Sequence, residues 1–385
     1  MAGTRRKERQ GQSEYFFDYS LLFIVLFLLG FGLVMIYSVS SYEANLENGD
    51  AAFYLKKQLF SSALGLVAMI VVAVIPYHFW ERFATLGYVV SAILILMVVT
   101  PLGREVNGAR RWLNVGISIQ PAEIAKLGMI LFLASFICKM GRSIRSLKGF
   151  LTVIAIPAPI CAMVWKITDN LSSAIIIFGI AALMLFVSSP DYKKFVIAGA
   201  AGIAGVAAIV YYIVNAANAE NASFRFARVL AWLDPEAYAS GRGFQTLQSL
   251  YAIGSGGVFG KGLGGSMQKL GFLPEAQNDM IFSIICEELG LFGAFAIMLM
   301  FMLLIWRFMI IASNAKDLFG ALLVVGVMGH IAIQVILNIA VVTNTIPNTG
   351  ISLPFISYGG SSVMFLLIEI GLVLSVARGI RLKDL

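Results

Sequence analysis

Asp279 is the side chain in this sequence with the clearest potential for chemistry. It comes just before an apolar run that begins near 281, where the dipole of a helix N-terminus would stabilise a negative charge. A carboxylate in that position can act as a general base toward a hydroxyl group. An ordinary helix N-cap is the alternative interpretation of the same residue.

Two pairs of charged residues fall inside apolar runs. Glu123 and Lys126 are spaced i, i+3, so a helix would place them on one face within pairing distance. Glu287 and Glu288 follow Asp279 by about two helical turns, and at least one of them must be buried in the bundle because acids at membrane depth avoid lipid. Ionisable residues inside a membrane are functional candidates, and a structural ion pair is the alternative for Glu123 and Lys126.

Two polar segments could contribute backbone groups and hydroxyls. Seven glycines within residues 254–265 allow sharp turns and close approach to a ligand, and their N–H groups could hold an anion. No GK[ST] follows them, which excludes a nucleotide-binding P-loop, and a flexible turn is the alternative. The segment 347–362, rich in Pro, Gly and hydroxyl residues such as Ser357 and Ser361, fits either a packing corner or a substrate wall.

Composition indicates which elements must position these residues. Of the 385 residues, 59% are hydrophobic and 13% are charged, whereas a soluble domain contains roughly 25% charged residues. A spanning helix needs roughly 20 mostly apolar residues. We therefore predict an all-α membrane protein with about ten transmembrane helices, near 18–39, 56–76, 83–100, 120–138, 149–167, 171–189, 194–214, 281–306, 318–342 and 356–377.

The segment 215–280, between the seventh and eighth predicted helices, is the long extracytoplasmic loop of this arrangement. Its composition is not of low complexity, so short amphipathic or re-entrant helices at the membrane interface are expected rather than disorder. The loop belongs to a single membrane domain, 18–378, which lies between a basic tail at 1–17 and a short tail at 379–385.

Lys and Arg residues set the predicted orientation. With the N-terminus inside, the inner segments contain more than half of the 28 Lys and Arg residues, which predicts an inner-membrane protein with both termini cytoplasmic. The net charge of +7 is thus a topology signal, and the chain offers no basic water-exposed domain for nucleic acid.

The outer segments nevertheless carry cations, and these oppose the orientation signal. Arg110 and Arg111 lie in the loop at 101–119, and Lys261 and Lys269 lie in the long loop. Phosphates are natural partners of Arg and Lys, so we expect an anionic ligand here, with lipid head groups or nearby acids as the alternative partners. Arg111 and Lys126 are the cations that we expect to matter most. No cluster of residues has metal-ligand spacing.

These motifs together resemble the shape, elongation, division and sporulation (SEDS) family of peptidoglycan polymerases over residues 18–378. The departures are mild: Ala122 stands where the family usually has Ser, and Asn278 where Thr is common. The segments that carry the resemblance are Gly108–Trp112, Gln120–Lys126, Ala252–Gly257, Gln268–Asp279, Glu287–Gly290 and Leu353–Ser362.

The resemblance implies a glycosyltransferase that polymerises lipid II outside the cytoplasmic membrane and releases undecaprenyl pyrophosphate. It implies that Asp279 activates the acceptor hydroxyl and that Glu123 and Lys126 form a supporting pair in a central cavity. The residues expected to bind substrate are Arg110, Arg111, Glu123, Lys126, Lys261, Gln268, Lys269, Glu287, Glu288, Ser357 and Ser361. A requirement for a divalent cation, Mg2+ or Mn2+, stays open.

The resemblance also implies partners: a class B penicillin-binding protein transpeptidase and other divisome membrane proteins, besides membrane lipids. The division branch of the family fits somewhat better than the elongation branch, and the sporulation branch is an equal alternative. A lipid II flippase and a scaffold that only recruits division proteins are the competing functions. Polymer formation by purified protein in detergent would separate the enzyme from the flippase.

Overall fold

The computed structural model describes residues 18–106, 108–114, 116, 118–189, 191–216, 224–241 and 243–380. The predicted tail at 1–17 and most of the predicted tail at 379–385 lie outside these residues.

The helices are α1 Tyr19–Asn48, α2 Phe53–Val74, α3 Tyr77–Glu81, α4 Ala84–Met97, α5 Pro121–Met140, α6 Leu147–Ala155, α7 Pro157–Ile167, α8 Leu171–Ser188, α9 Tyr192–Ala216, α10 Phe224–Leu233, α11 Phe244–Gly256, α12 Ile281–Ser313, α13 Leu318–Val342 and α14 Gly360–Ala377.

The predicted helical membrane protein is confirmed. Within the described residues, nine stretches are long and apolar enough to span a membrane, with α5 extending through a short 3-10 turn and α6 and α7 together forming one of them. The remaining predicted crossing, near 83–100, is α4, an apolar helix of only 14 residues. At 1.5 Å per residue it is about 21 Å long, shorter than the roughly 30 Å hydrocarbon layer.

Polar caps fix where several of these helices begin. The Asp18 carboxylate accepts a hydrogen bond from the Leu21 N–H at 2.9 Å and also pairs with Arg307 at 2.6 Å, which ties the start of α1 to α12. Asn170 and Asp317 cap α8 and α13 in the same way. Each cap satisfies backbone donors that a helix start would otherwise leave unpaired.

Helix α13 is central to the bundle. It packs against α5, α8, α12 and α14, and 67% of its most apolar 18-residue stretch is buried inside the protein. Helix α14 packs along α2, and α1 packs against both α2 and α12. Polar residues on α13 therefore lie where several elements converge, away from surrounding lipid.

The segments between helices differ most from the prediction. The sequence predicts a loop at 101–119, but this segment contains an antiparallel sheet of β1 Gly103–Val106, β2 Ala109–Asn114 and β3 Ser118–Ile119. The strands β1 and β2 are short and contain charged residues, and β3 has only two residues, so none shows the alternating apolar pattern that identifies a strand. The long segment contains two short helices, α10 and α11. Their position at the membrane interface stays a prediction.

Candidate active site around Asp279

Asp279 lies where the long segment meets α12, which begins at Ile281. The residue is only 9% exposed. Gly350, from the loop before α14, approaches its carboxylate so closely that an added Cβ would lie 3.6 Å from Oδ2. Oδ1 has no hydrogen-bond partner within the described part of the chain. A buried carboxylate oxygen without a partner can accept a proton from a bound hydroxyl group.

The surroundings of Asp279 raise the pKa of its carboxyl to about 7. Burial is the main cause because it disfavours the charged form, and the negative charge of Glu275 adds to the effect. Arg228 of α10 lowers the pKa and so acts in the opposite direction. A carboxyl group with a pKa near neutrality can both accept and release a proton at physiological pH.

Asn338 of α13 fixes the backbone of Asp279. The residue is fully buried, and its side-chain amide donates to the Asp279 carbonyl oxygen at 2.8 Å and to the Ile351 carbonyl oxygen at 2.6 Å. A single amide group thus joins the start of α12 to the loop that carries Gly350. Both segments that surround the Asp279 carboxylate are therefore held in place by α13.

Gln334, one turn before Asn338 on α13, connects the same loop to α5. Its amide nitrogen donates to the Ser352 carbonyl at 2.9 Å, and its amide oxygen lies 3.5 Å from Lys126 Nζ. Lys126 pairs with Glu123 at 2.8 Å. Lys126 and the main chain of Asp279 therefore contact α13 at Gln334 and Asn338, which lie on the same face one helical turn apart.

The Glu123–Lys126 pair is almost completely withdrawn from the surface. Glu123 is 5% exposed and Lys126 is 1% exposed. Glu123 Oε2 has no hydrogen-bond partner in the region that the structure covers. Such a buried pair is costly to separate, because removing one partner leaves an uncompensated charge. The pair therefore holds both charged groups in fixed positions.

Glu287 holds the glycine-rich segment together. Its carboxylate accepts hydrogen bonds from Lys261 Nζ at 2.7 Å, Met267 N at 3.2 Å and Gln268 N at 3.3 Å. The hydroxyl groups of Ser255 and Ser266 also donate to it. One buried carboxylate thus organises both ends of the segment 255–268, and the charge of Lys261 is compensated by the pair.

Glu288 performs a similar role toward α1. It pairs with Lys269 at 2.7 Å, and the Ser38 hydroxyl donates to both of its oxygens at 2.9 and 2.8 Å. Just beyond it, α12 is broken at Gly290, whose φ of 67° is a left-handed conformation. A Cβ at Gly290 would lie 2.3 Å from the Gly260 nitrogen, so the break lets the glycine-rich segment pack directly on the helix backbone.

Arg110 and Arg111 lie on β2 and have separate contacts. Arg111 donates to the carbonyl oxygens of Thr168 at 3.2 Å and Asp169 at 2.8 Å, which end α7. Arg110 lies 3.6 Å from the Glu105 carboxylate across the sheet. Arg111 therefore stabilises the turn between α7 and α8 at the end of the bundle where Asp279 lies.

The loop before α14 joins that turn to the site. The Ser172 hydroxyl at the start of α8 donates to the Thr349 carbonyl, next to Gly350. The Tyr358 N–H donates to the Gln277 carbonyl at 2.9 Å, and the Ser357 hydroxyl accepts from the Leu353 N–H at 2.7 Å within the loop. This loop is therefore a wall of the Asp279 site.

Comparison with known proteins identifies the family. Residues 19–381 match the family model FTSW_RODA_SPOVE, described as cell cycle protein. The chain belongs to the FtsW/RodA/SpoVE family. It is 40% identical to stage V sporulation protein E of Bacillus subtilis over 94% of this chain and 97% of that protein. It is 38% identical to the probable peptidoglycan glycosyltransferase FtsW of Trichlorobacter lovleyi, over 96% of this chain and 95% of that protein.

Two solved structures share the FtsW/RodA/SpoVE fold. One is a chain from "Structural coordination of polymerization and crosslinking by a peptidoglycan synthase complex", with a TM-score of 0.76, 28% identity, and coverage of 94% of this chain and 98% of that one. The other is the rod shape determining protein RodA of Thermus thermophilus, with a TM-score of 0.66, 26% identity, and coverage of 94% and 97%.

In this member of the FtsW/RodA/SpoVE family, the predicted site residues fall into groups. Asp279, Glu123 and Lys126 converge on α13, whereas Lys261, Gln268 and Lys269 are bound by Glu287 and Glu288. Ser361 is buried, and its hydroxyl has no partner among residues 243–380 or elsewhere in the described structure. Their roles in binding substrate remain predictions.

Sequence reasoning missed Gln334 and Asn338. With His330, they recur at i, i+4 and i+8 along α13, a helix that is otherwise apolar. Polar side chains at one-turn intervals in a spanning helix must share a buried face, because each would be costly in lipid. This spacing of His330, Gln334 and Asn338 could have identified the polar face of α13 from the sequence.

Proposed function

We propose that this chain is a peptidoglycan glycosyltransferase that polymerises lipid II at the outer face of the cytoplasmic membrane, with both of its termini cytoplasmic. Membership of the FtsW/RodA/SpoVE family and relatives named peptidoglycan glycosyltransferase support the activity. The single observation that carries the proposal is Asp279: it is buried, its Oδ1 is unpartnered in the described structure, and the pKa of its carboxyl is about 7.

The reaction follows from that carboxylate. Asp279 accepts the proton of an acceptor sugar hydroxyl, whose oxygen then bonds to the anomeric carbon of the donor sugar. The bond between that carbon and the diphosphate oxygen breaks, and the electron pair leaves with undecaprenyl diphosphate. Asn338 keeps the base in place because it holds the Asp279 carbonyl at 2.8 Å.

The departing diphosphate needs positive charge close by. Lys126 is one candidate, because it contacts Gln334 of α13, one helical turn from the Asn338 that binds the Asp279 main chain. Arg111 donates to two main-chain carbonyl oxygens and remains a second candidate at the same end of the bundle. Lys261 and Lys269 are paired with Glu287 and Glu288, as Lys126 is with Glu123, so each of these lysines would have to exchange a carboxylate for the phosphate.

A divalent cation, Mg2+ or Mn2+, is not part of this proposed step. Among the described residues, no group of three His, Cys, Asp or Glu side chains could hold a metal ion. Mg2+ is commonly bound by one or two carboxylates together with substrate phosphates, which needs no such group, so the requirement stays open and the step is derived from the side chains alone. Polymerisation with and without a chelator would test whether the reaction needs such a cation.

The proposed partners are a class B penicillin-binding protein transpeptidase and other membrane proteins of the division machinery. The similarity to a chain of a peptidoglycan synthase complex supports the first of these. Within the family, relatives named FtsW support a role in septal wall synthesis, and stage V sporulation protein E, at 40% identity, gives equal support to sporulation. Depletion in growing and in sporulating cells would separate the two roles.

Purified protein in detergent tests the proposed activity. Supplied with lipid II, with and without the transpeptidase, the chain should produce glycan polymer in the absence of any bilayer. A flippase could not do this, because its activity needs two membrane faces. Transport of lipid II in vesicles without polymer in either preparation would support the flippase and refute the proposal.

A further inference from the structure

A groove separate from the Asp279 carboxylate opens between α1 and the glycine-rich segment. Its volume is about 630 Å³. Val34, Tyr37, Ser41 and Tyr42 line it from α1, and Leu263 and Lys269 line it from the opposite side.

The walls and the inner end of this groove differ in chemistry. Val34, Tyr37 and Leu263 are 50%, 47% and 58% exposed, and because α1 spans the membrane, this face meets lipid. Lys269 is only 9% exposed, and its Nζ lies 2.7 Å from Glu288 and 3.2 Å from the Ser38 hydroxyl. The groove is therefore apolar along its sides and carries a hydrogen-bond donor at its buried end.

The groove is connected to the Asp279 loop through the outer part of α1. Tyr42 lines the groove, and the next residue, Glu43, is hydrogen-bonded to the Gln277 side chain. Gln277 precedes Asp279 by two positions in the same loop. The part of α1 that lines the groove is therefore continuous with the part that contacts the loop carrying the base.

We propose that this groove holds the isoprenoid chain of the lipid-linked substrate, an inference that rests on the proposed function. The chain would lie along Val34, Tyr37 and Leu263, with the diphosphate end directed toward Lys269. The Lys269–Glu288 pair has no net charge, so it contributes hydrogen-bond donors rather than a strong field. Because the surrounding lipid is as apolar as the groove, packing rather than the hydrophobic effect selects the chain.

Filling the groove tests this inference. Ser41→Trp places a large side chain in it, and Leu26→Trp places the same side chain on a lipid-facing position of α1 that does not line it. We would measure kcat/KM for lipid II with its full polyprenyl chain and for an analogue with a short chain. The ratio of the two values should fall about tenfold in Ser41→Trp and stay unchanged in Leu26→Trp. An unchanged ratio in both variants would overturn the inference.

Photo-crosslinking gives a second measurement that does not depend on turnover. A benzophenone amino acid at Leu263 should crosslink to a labelled polyprenyl substrate, and unlabelled substrate should compete, whereas the same group at Leu26 should not. Crosslinking of position 263 to bulk phospholipid alone would overturn the groove assignment. If the wild type made no polymer, the proposed function would fail, while competed crosslinking at 263 would still support the groove.

Discussion

Asn338 donates one hydrogen bond to the main-chain carbonyl of Asp279 at 2.8 Å and another to that of Ile351 at 2.6 Å. The candidate base and the loop that faces it are thus positioned by one buried amide of α13. Gln334, one turn away on α13, contacts Ser352 and Lys126. The geometry of the site therefore depends on a helix whose polar residues are not themselves expected to react.

Loss of the Asn338 amide should lower the rate far more than it changes substrate binding. We expect Asn338→Ala to reduce kcat by about 10²-fold, because a displacement of about 1 Å at a catalytic group has that effect. The KM for lipid II should change little. Asn314→Ala is the matched control, since Asn314 also donates to a helix carbonyl, at 2.8 Å, but beyond the end of α12 away from Asp279. Equal kcat values for both variants would contradict the positioning role.

The buried Glu123–Lys126 pair should affect stability and activity separately. Lys126→Met alone leaves a buried carboxylate uncompensated and should destabilise the protein by about 3–5 kcal/mol. Combining it with Glu123→Gln should recover most of the Tm, because no charge then remains unpaired. We expect the double variant to be folded and still defective in polymerisation. Polymerisation at the wild-type rate would instead identify the pair as purely structural.

The Glu287 carboxylate should determine how rigid the glycine-rich segment is. Glu287→Gln replaces charge-assisted hydrogen bonds, each of which contributes about 1.5–3 kcal/mol. Hydrogen–deuterium exchange of residues 255–268 should become faster, while exchange in α13 stays unchanged. Glu236→Gln, at an exposed position of the same long segment, is the control and should show no change. Unaltered protection in Glu287→Gln would show that the loop is held by its backbone contacts to α12 alone.

Activity should increase with pH through the titration of Asp279. The pKa of its carboxyl is raised to about 7, so the basic form is a minor species at pH 6 and predominates at pH 8. We expect kcat/KM for polymerisation to rise about tenfold per pH unit below the pKa and to level above it. A rate that is constant between pH 5.5 and 8 would be inconsistent with Asp279 as the base.

The same titration makes a stability prediction of defined sign. The folded protein binds the Asp279 proton more tightly than the unfolded chain, whose pKa is near 3.8, so this residue destabilises the fold as pH rises from about 4 to about 7. The full effect is about 4 kcal/mol at most, at 1.36 kcal/mol per pKa unit. An asparagine side chain does not titrate, so the Tm of Asp279→Asn should exceed that of the wild type at pH 8 and approach it at pH 5.

Most of the helical fold could be predicted because lipid demands long apolar helices. The predicted span 318–342 coincides with α13, and the other predicted spans overlap observed helices. Helix α4 is shorter than predicted, since apolarity continues past the point where the backbone leaves the helix at Met97. The predicted orientation of the termini rests on charge alone and stays a prediction.

The remainder depends on contacts between distant parts of the chain. At the Gly290 break, backbone groups within residues 257–262 form hydrogen bonds with the backbone of α12, and the hydropathy of the sequence gives no indication of this contact. The sequence predicts Lys261 and Lys269 as phosphate ligands, but no local pattern indicates that Glu287 and Glu288 bind them in the absence of substrate. Asp279 could be selected from its position before a helix, whereas its burial and its raised pKa required the tertiary structure.

Polymerisation of lipid II by purified Asp279→Asn, measured together with its Tm at pH 8, tests the central claim most directly. We predict a variant that is folded and at least as thermostable as the wild type, with a polymerisation rate lower by about 10²–10⁴-fold. A folded variant that polymerises lipid II at close to the wild-type rate would contradict the assignment of Asp279 as the base.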